Sequence, residues 1–216
     1  MRKDLLLIHG VVQVKARLYA LPLTRDRPEL THRQDTRTLD PAPMTTERSF
    51  ISLHLAILTV SDTRTLASDT SGALLQSRAE NEGHRIHERS LVADDIYRIR
   101  AKVSEWIADP HVEAILTTGG TGVTGRDGTP EAIAPLLDKH LEGFGEVFRN
   151  LSFEEIGTST MQSRALAGVA NGTYLFCLPG SSGACRLAWD RLIKAQLDYR
   201  TRPCNLVELM PRLRES

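Results

Sequence analysis

Apolar residues fall into short runs that predict four β-strands between residues 53 and 178. Three of the runs are nearly continuous, as in strands that are buried on both faces. The remaining one, which begins at Arg85, alternates between apolar and polar positions. The predicted strands cover residues 53–60, 85–92, 113–116 and 173–178.

Residues with helical spacing lie between these runs. Ile96, Ile99, Val103 and Ile107 repeat at intervals of three and four, which indicates a helix that starts at Asp94 or Asp95. Thr70 or Ser71 is predicted to cap a helix that reaches residue 81. Thr129 is predicted to cap another helix, over residues 130–140. Residues 143–170 show no clear period, and we expect two short helices there. A last helix after residue 182 is predicted to bury Ala184, Leu187, Ala188, Leu192 and Ala195.

Strands that alternate with helices predict an α/β fold with a mostly parallel sheet covered on both faces. Ligands of such sheets bind beyond the carboxyl ends of the strands. Small, polar or acidic residues follow each predicted strand, so four loops are expected to meet at one edge. These loops carry Ser61 and Asp62; Asp94 and Asp95; the glycine-rich residues 117–130; and Pro179, Gly180, Ser181 and Ser182.

The glycine-rich loop is the most informative segment of the chain. It contains Gly119, Gly120, Thr121 and Gly122, between a strand end and a helix start. Glycines let main-chain N–H groups turn towards an oxyanion such as phosphate. Asp127 in the same loop would repel phosphate unless a cation lay between them. Phosphate, a carboxylate and a metal such as Mg²⁺ together suggest nucleotide chemistry.

A dinucleotide-binding oxidoreductase is the first alternative, because Gly120, Gly122 and Gly125 have the GxGxxG spacing. In that motif, however, the helix opens within the glycines and close to the first strand of the unit. Here the helix signal comes after the last glycine, and two strand–helix units precede the loop. The match is therefore weak.

The acids and serines of the loops also have purely structural interpretations. One of Asp94 and Asp95 is expected to cap the following helix, and the sequence leaves open which one faces the site. Ser181 and Ser182 are suited to cap the last helix, whose start is also a place where an anion can bind. Two carboxylates from neighbouring strands, one of Asp94 and Asp95 together with Asp127, are predicted to hold Mg²⁺ and a nucleotide.

Bulk composition excludes several classes of protein. Lys plus Arg and Asp plus Glu number 27 each, so no overall field attracts nucleic acid or a membrane. No apolar run approaches the length of a membrane span. Cys177, Cys185 and Cys204 lack CxxC spacing and are expected to be reduced, buried thiols of a cytoplasmic protein. His84 and His87 are expected at the surface.

Residues 1–50 differ from the rest of the chain. From residue 22 to 48 they are rich in Arg, Asp, Thr and Pro, with few aliphatic side chains. We expect a poorly ordered extension over residues 1–50 and a single domain over residues 51–210. Met44 lies just before the first strong strand, so residues 1–43 are hypothesised to be an upstream extension without a role in function.

Taken together, the motifs resemble the MoaB/MogA family of molybdenum cofactor biosynthesis proteins, related to the gephyrin G domain. The resemblance spans about residues 55–205, and several segments are similar to the MoaB branch. The motifs are LTVSD (58–62), DTSG (69–72), TGGTG (118–122), RDGTPE (126–131), GFGE (143–146), LSFEEIGTST (151–160), QSRA (162–165), LPGSSGACR (178–186) and TRPCN (201–205).

The resemblance implies a three-layer α/β fold, assembled as a trimer or a hexamer, and adenylyl transfer from MgATP to molybdopterin. It implies that Asp94 and Asp127 are the essential aspartates, that Glu146 belongs to the site, and that the turn with Ser181 and Ser182 receives the pterin phosphate. Retention of both aspartates favours an active adenylyltransferase. Contacts with other proteins of the same pathway are also expected, and a non-catalytic, oligomeric molybdopterin-binding paralogue is the second alternative.

Overall fold

The computed structural model describes residues 47–215. The expectations for residues 1–46, including the extension and a start at Met44, lie outside the described residues. Residues 47–50 have no regular secondary structure, yet they contact the domain. The guanidinium of Arg48 donates to both carboxylate oxygens of Glu208 (2.7 and 3.1 Å) and lies 4.8 Å from the ring centroid of Tyr199.

A single mixed sheet of six strands forms the centre of the described residues, in the order β2-β1-β3-β6-β5-β4. Neighbouring strands are parallel from β2 to β6, whereas β5 runs antiparallel to both β6 and β4. The predicted α/β fold with a mostly parallel sheet is therefore confirmed. The strands are β1 His54–Val60, β2 Arg85–Val92, β3 Ala114–Thr118, β4 Lys139–His140, β5 Leu166–Ala170 and β6 Thr173–Leu178.

Helices cover both faces of the sheet and make a three-layer structure. The α-helices are α1 Thr70–Asn81, α2 Ile96–Ala108, α3 Thr129–Ile133, α4 Glu142–Ile156, α5 Ser182–Ala188, α6 Lys194–Gln196 and α7 Leu206–Leu209. Short 3₁₀ segments follow α3, α4 and α7, over Ala134–Leu136, Gly157–Gln162 and Met210–Arg212. A π-helical segment, Trp189–Ile193, joins α5 to α6.

Two apolar cores lie on opposite faces of the sheet, because successive side chains of a strand point in opposite directions. From β1, Leu55 and Ile57 enter one core, which α1, α4 and α5 cover. Ala56 and Leu58 enter the other, which α2 and α3 cover. Burial on both faces explains why the sequence of β1 is nearly continuously apolar.

The helix predicted over 130–140 is shorter than expected. α3 ends at Ile133, a 3₁₀ turn follows, and Lys139 and His140 form strand β4. Pro135 explains the early end, because proline has no N–H to continue the helical hydrogen bonds. Thr129 was also assigned wrongly as the N-cap, since it is the first residue of α3 and Gly128 precedes it as the cap.

Residues 143–170 are the largest error of the sequence analysis. The structure has one helix, α4, in place of two, then a 3₁₀ segment and a strand, β5, that was not predicted. β5 contains two alanines and a glycine, which have low strand propensity. Its pairing with β6 and β4 stabilises it, and Gly168 lies so close to β4 that an added Cβ would be 2.5 Å from the carbonyl oxygen of Lys139.

The caps of the first two helices are acidic side chains. Asp69, rather than Thr70 or Ser71, caps α1 and accepts from the N–H of Gly72 at 2.9 Å. Asp95 caps α2 and accepts from the N–H groups of Tyr97 and Arg98. Asp95 therefore has the capping role, and Asp94 is the acid left for another function.

The buried face of the last helix differs from the predicted one. Cys185, Trp189, Ile193 and Leu197 are buried, whereas Ala195 is exposed. A π turn contains more than the 3.6 residues of an α turn, so it moves the buried positions along the sequence. Leu187 and Ala188, upstream of the π segment, are buried as predicted.

His84 was wrongly assigned to the surface. It is buried, its Nδ1 accepts from the N–H of Leu53 at 3.2 Å, and its ring packs against Phe50 and Trp189. Burial lowers the pKa of His84 from its ordinary value of 6.5, against smaller opposing effects of Asp198 and Glu82. The folded protein therefore keeps this imidazole neutral where the unfolded chain binds a proton.

This burial predicts a pH dependence of stability. Above pH 6.5, His84 is mostly neutral in both the folded and the unfolded state. As the pH falls below 6.5, the unfolded state binds the proton before the folded state does. We therefore expect the urea midpoint to fall as pH decreases from about 7.5 to about 5.5, and to fall less in His84→Gln. Equal slopes in the two proteins would contradict the assignment.

Candidate functional site

The carboxyl ends of β1, β3 and β6 enclose a cavity of about 530 Å³. Nine of the residues predicted for the site line this cavity. They are Ser61, Gly119, Gly120, Thr121, Gly122, Asp127, Pro179, Gly180 and Ser181. The convergence of these loops follows from the parallel arrangement of the three strands.

The glycines of the central loop allow a close approach of main chains. Gly119 and Gly120 have positive φ angles of 104° and 61°, which strain any residue with a side chain. A Cβ on Gly119 would collide with the carbonyl oxygen of Val60, and a Cβ on Gly180 would lie 3.1 Å from the Cα of Gly119. The loops after β1, β3 and β6 thus meet backbone to backbone.

Two side chains hold the glycine loop in place. The buried hydroxyl of Thr129 donates to the carbonyl of Gly119 at 2.8 Å. Arg164, which precedes β5, donates to the carbonyls of Thr121 (3.2 Å) and Asp127 (2.9 Å) and pairs with Glu131. The loop is therefore fixed from both its own helix and a distant segment.

Asp94 and Asp127 both contact this loop. A Cβ on Gly120 would lie 2.9 Å from the Asp94 carboxylate, and a Cβ on Gly122 would lie 2.6 Å from that of Asp127. Asp127 also accepts hydrogen bonds from the hydroxyl and the N–H of Thr124. Both acids line a second cavity of about 460 Å³, on the α2 side of the loop, and Asp127 borders both cavities.

The two carboxylates have opposite pKa shifts. The side-chain hydrogen bond from Thr124 lowers the pKa of Asp127, helped by main-chain N–H groups, so this acid is ionised at neutral pH. Burial raises the pKa of Asp94, and the negative charges of Asp127 and Asp62 add to that effect. Asp94 is thus the acid that gains most from a nearby cation.

Asp62 links the first loop to the Asp94 loop. Its carboxylate accepts from the N–H of Asp94 at 3.2 Å and from the guanidinium of Arg126 at 3.0 Å. In the same loop, the Oγ of Ser61 accepts from the N–H groups of Thr63 and Arg64. Asp62 therefore holds the Asp94 loop, whereas Ser61 lines the 530 Å³ cavity directly.

The serines after β6 have different roles. Ser181 caps α5, with its hydroxyl accepting from the N–H of Ala184 at 3.1 Å, and it also lines the cavity. The hydroxyl of Ser182 instead donates to that of Thr70 and does not line the cavity. Glu146 lies exposed on α4 and is likewise not a lining residue.

The wall opposite the glycine loop was not predicted. Ser152 and Ile156 of α4 and Ser159, Gln162 and Ser163 from the segment after it line the cavity. The Oγ of Ser163 is buried and has no hydrogen-bond partner among residues 47–215. A buried hydroxyl without a partner is costly, so a polar ligand group suits this wall.

Arg64, Asp69 and Arg164 are the charged residues that the sequence analysis missed as site residues. Arg64 had one signal, since it stands two residues after Asp62. Arg164 lies in the QSRA motif of the family resemblance, but that motif does not indicate its partner Asp127, which lies 37 positions away in the chain. Asp69 opens the DTSG motif, but the cap of α1 was predicted at Thr70 or Ser71, and only the structure shows that Asp69 is the cap and is buried.

The acids at the site suit Mg²⁺ bound together with a substrate. Residues 47–215 contain no group of three or more His, Cys, Asp or Glu side chains that would hold a metal alone. Mg²⁺ is usually held by one or two carboxylates, substrate phosphates and waters, with no need for a full protein cage. Asp94 and Asp127, which both pack against the glycine loop, fit that arrangement.

The cysteines are not part of the chemistry at this edge. All three are free thiols; Cys177 and Cys185 are buried as expected, whereas Cys204 is exposed. Burial raises the pKa of Cys177 to about 12 and that of Cys185 to about 11, so both remain protonated at neutral pH.

No helix within the described part of the chain is long and apolar enough to cross a membrane.

Comparison with known proteins is consistent with this geometry. Residues 56–199, two thirds of the chain, match the family model described as "Probable molybdopterin binding domain". "Molybdenum cofactor biosynthesis protein B" of Escherichia coli (strain K12) is 57% identical over 156 residues, which cover 72% of this chain and 92% of that protein. The protein of the same name from Staphylococcus epidermidis is 48% identical over 151 residues (68% and 86% covered).

Solved structures give the same result. A crystal structure of molybdenum cofactor biosynthesis protein B superposes with a TM-score of 0.68 at 43% identity, covering 69% of this chain and 94% of that one. The tungsten cofactor synthesizing protein MoaB from Pyrococcus furiosus superposes with a TM-score of 0.64 at 32% identity, covering 76% and 98%. The chain therefore belongs to the MoaB/MogA family of molybdenum cofactor biosynthesis proteins.

Proposed function

We propose that this protein transfers the adenylyl group of MgATP to molybdopterin during molybdenum cofactor biosynthesis. One observation carries the proposal: the carboxylates of Asp94 and Asp127 pack against Gly120 and Gly122 of the glycine loop, and Asp127 borders the 530 Å³ cavity. The names of the relatives and the description of the matching family support molybdopterin as a ligand. The glycine loop and the two acids support a nucleotide as the other.

In the proposed reaction, an oxygen of the molybdopterin phosphate attacks the α-phosphorus of ATP. A new P–O bond forms, the bond between the α-phosphorus and the oxygen that leads to the β-phosphate breaks, and pyrophosphate leaves with the electron pair. The products are adenylyl-molybdopterin and pyrophosphate. Since two anions must approach each other, positioning and charge compensation account for most of the catalysis.

The residues of the chain have separate tasks in this reaction. Gly119 and Gly120 allow the tight turn that brings the main chain of the loop to the cavity wall, where the phosphates are proposed to bind. Asp94 and Asp127 are the residues that would hold Mg²⁺, which when bound supplies positive charge to the transferred group. Arg164 and Thr129 keep the loop rigid, so that the acids do not move during transfer. No covalent intermediate with the protein is required.

The proposal is tested by incubating purified protein with molybdopterin and MgATP and measuring adenylyl-molybdopterin and pyrophosphate in equal amounts. We expect turnover with Mg²⁺ and none when Mg²⁺ is removed by a chelator, with recovery when Mg²⁺ is added back. Molybdopterin binding without any adenylylation would instead identify the protein as a binding member of the family. If the protein neither binds molybdopterin nor transfers the adenylyl group, both functions are rejected.

We further propose that the protein acts as a homo-oligomer, a trimer or a hexamer. Large apolar side chains are exposed on α4 and the segment after it, including Phe153 (55% exposed), Ile156 (54%) and Met161 (82%). A surface of this kind is typical of an interface. Sedimentation at micromolar concentration distinguishes a trimer from a hexamer, and a monomer would contradict the proposal.

A further inference from the structure

Arg64 is held rigidly in the wall of the 530 Å³ cavity. Its N–H donates to the Oγ of Ser61 at 3.2 Å. Its guanidinium donates to the Oγ of Ser71 at 2.8 Å and to the carbonyl of Gly180 at 3.3 Å. These contacts join the loop after β1 to the first turn of α1 and to the loop after β6, and they fix an otherwise flexible side chain. The ordering entropy of that side chain is therefore lost in folding and not when a ligand binds.

A buried carboxylate behind Arg64 adds to this rigidity. Asp69 is 2% exposed and accepts from the hydroxyl of Thr59 (2.7 Å), the N–H of Gly72 (2.9 Å) and Arg89 (3.2 Å). Arg64 lies 3.8 Å from the same carboxylate. Burial tends to raise the pKa of Asp69, but the hydrogen bonds from Gly72 and Thr59 outweigh it and lower the pKa. The carboxylate is thus ionised at neutral pH.

The local charges do not cancel. Two guanidinium groups, Arg64 and Arg89, surround one carboxylate, Asp69, which leaves one positive charge. Among the described residues that line the cavity, Arg64 is the only Arg or Lys. Its side chain is 34% exposed, so it is able to contact a ligand. Asp127 borders the same cavity from a different loop, so the cavity wall carries one positive and one negative side chain.

We propose that Arg64 binds the phosphate monoester of the pterin substrate, with Ser71 and Asp69 as its positioning residues. The inference rests on the proposed function, because it assigns one of the two substrates to one end of the cavity. The triphosphate of ATP brings Mg²⁺ to Asp94 and Asp127. The pterin phosphate has no such counter-ion and needs a cation from the protein. A guanidinium has five N–H donors, so those of Arg64 that are not engaged with Ser71 and Gly180 remain for the phosphate.

The experiment measures the affinity of wild type and Arg64→Gln for molybdopterin and for its dephosphorylated form, by calorimetry without ATP. We expect Arg64→Gln to bind molybdopterin about tenfold to a hundredfold more weakly, because it loses charge-assisted hydrogen bonds. Both proteins should bind the dephosphorylated form equally. Arg64→Lys should recover only part of the loss, since an ammonium group cannot bridge Ser71, Gly180 and a phosphate.

Arg85→Gln is the matched control. Arg85 is exposed at the amino end of β2, the edge of the sheet opposite the site, and its replacement removes the same charge. We expect this variant to bind both pterins like wild type. Should Arg64→Gln fail to fold, salt provides the test in wild type: affinity for the phosphorylated pterin should fall more steeply with salt than affinity for the dephosphorylated one.

Two results would overturn the proposal. One is an equal loss of affinity for both pterins, which would mean that Arg64 supports the cavity without contacting the phosphate. The other is weaker MgATP binding with unchanged pterin binding, which would assign Arg64 to the nucleotide. Because the pterin titrations contain no ATP, their outcome does not depend on adenylyl transfer. A protein that binds but does not transfer would refute the proposed reaction and leave the role of Arg64 standing.

Discussion

Replacing Asp127 by Asn is expected to lower the rate of adenylyl transfer at least about a hundredfold while the protein stays folded. Thr124 keeps the Asp127 carboxylate ionised at neutral pH, so the substitution removes a full negative charge from the loop. The amide oxygen of Asn is still able to accept from the N–H of Thr124, which preserves the loop. Single-turnover kinetics and far-UV circular dichroism would measure both effects.

Asp95→Asn is the matched control for this prediction. It removes the same charge at the same edge of the sheet, but Asp95 caps α2, and Asn caps a helix as well as Asp does. We expect near-wild-type transfer in Asp95→Asn. If Asp127→Asn also turned over normally, Asp127 would have no catalytic role; equal losses in both variants would indicate a general charge effect.

Gly120→Ala is expected to abolish most of the transfer activity and to destabilise the fold by about 2–4 kcal/mol. Gly120 has a φ of 61°, and an added methyl group would collide with the hydroxyl of Thr129 and lie 2.9 Å from the Asp94 carboxylate. Thr129 cannot retreat easily, because it is buried and bonded to Gly119. Asp94 must therefore move, which disturbs the proposed metal-binding pair. Urea unfolding and MgATP titration would measure the two effects.

Gly125→Ala lies in the same loop and provides the comparison. Apart from Gly125 itself and its two chain neighbours, no atom of residues 47–215 lies within 4 Å of a Cβ placed on Gly125, and its φ is not in the left-handed region. We expect this variant to keep both stability and ATP affinity. Unchanged affinity in Gly120→Ala as well would mean that nucleotide binding does not depend on the close approach at that glycine.

Several features of the fold were predictable because they are encoded locally. Runs of apolar residues identified β1, β3 and β6, and an alternating run identified β2, since burial on one or two faces leaves a short-range pattern. Parallel strands bring their carboxyl ends to one edge, so the convergence of the loops at Ser61, Asp94, Gly120 and Ser181 followed from the predicted parallel arrangement. Motifs in a fixed order also identified the family, which the comparisons confirm.

Other features depended on contacts between distant segments. β5 is a strand because it pairs with β6 and β4, although its alanines and glycine have low strand propensity. The π segment after α5 shifts the buried face of the last helix, and no local sequence pattern predicts this segment. Capping was also ambiguous, since only the structure shows that Asp69 accepts from the N–H of Gly72 and that the hydroxyl of Thr129 donates to Gly119 and does not cap α3.

The sequence by itself determined that strands alternate with helices, that a glycine-rich loop meets three other loops, and that two aspartates belong to those loops. Periodicity and backbone freedom are properties of neighbouring residues, so a single chain reveals them. The tertiary structure alone decided that Asp94 rather than Asp95 faces Gly120, that Arg164 holds the loop, and that Arg64 lies in the cavity wall. Such roles depend on distance in space, because packing brings together residues that are far apart in the chain.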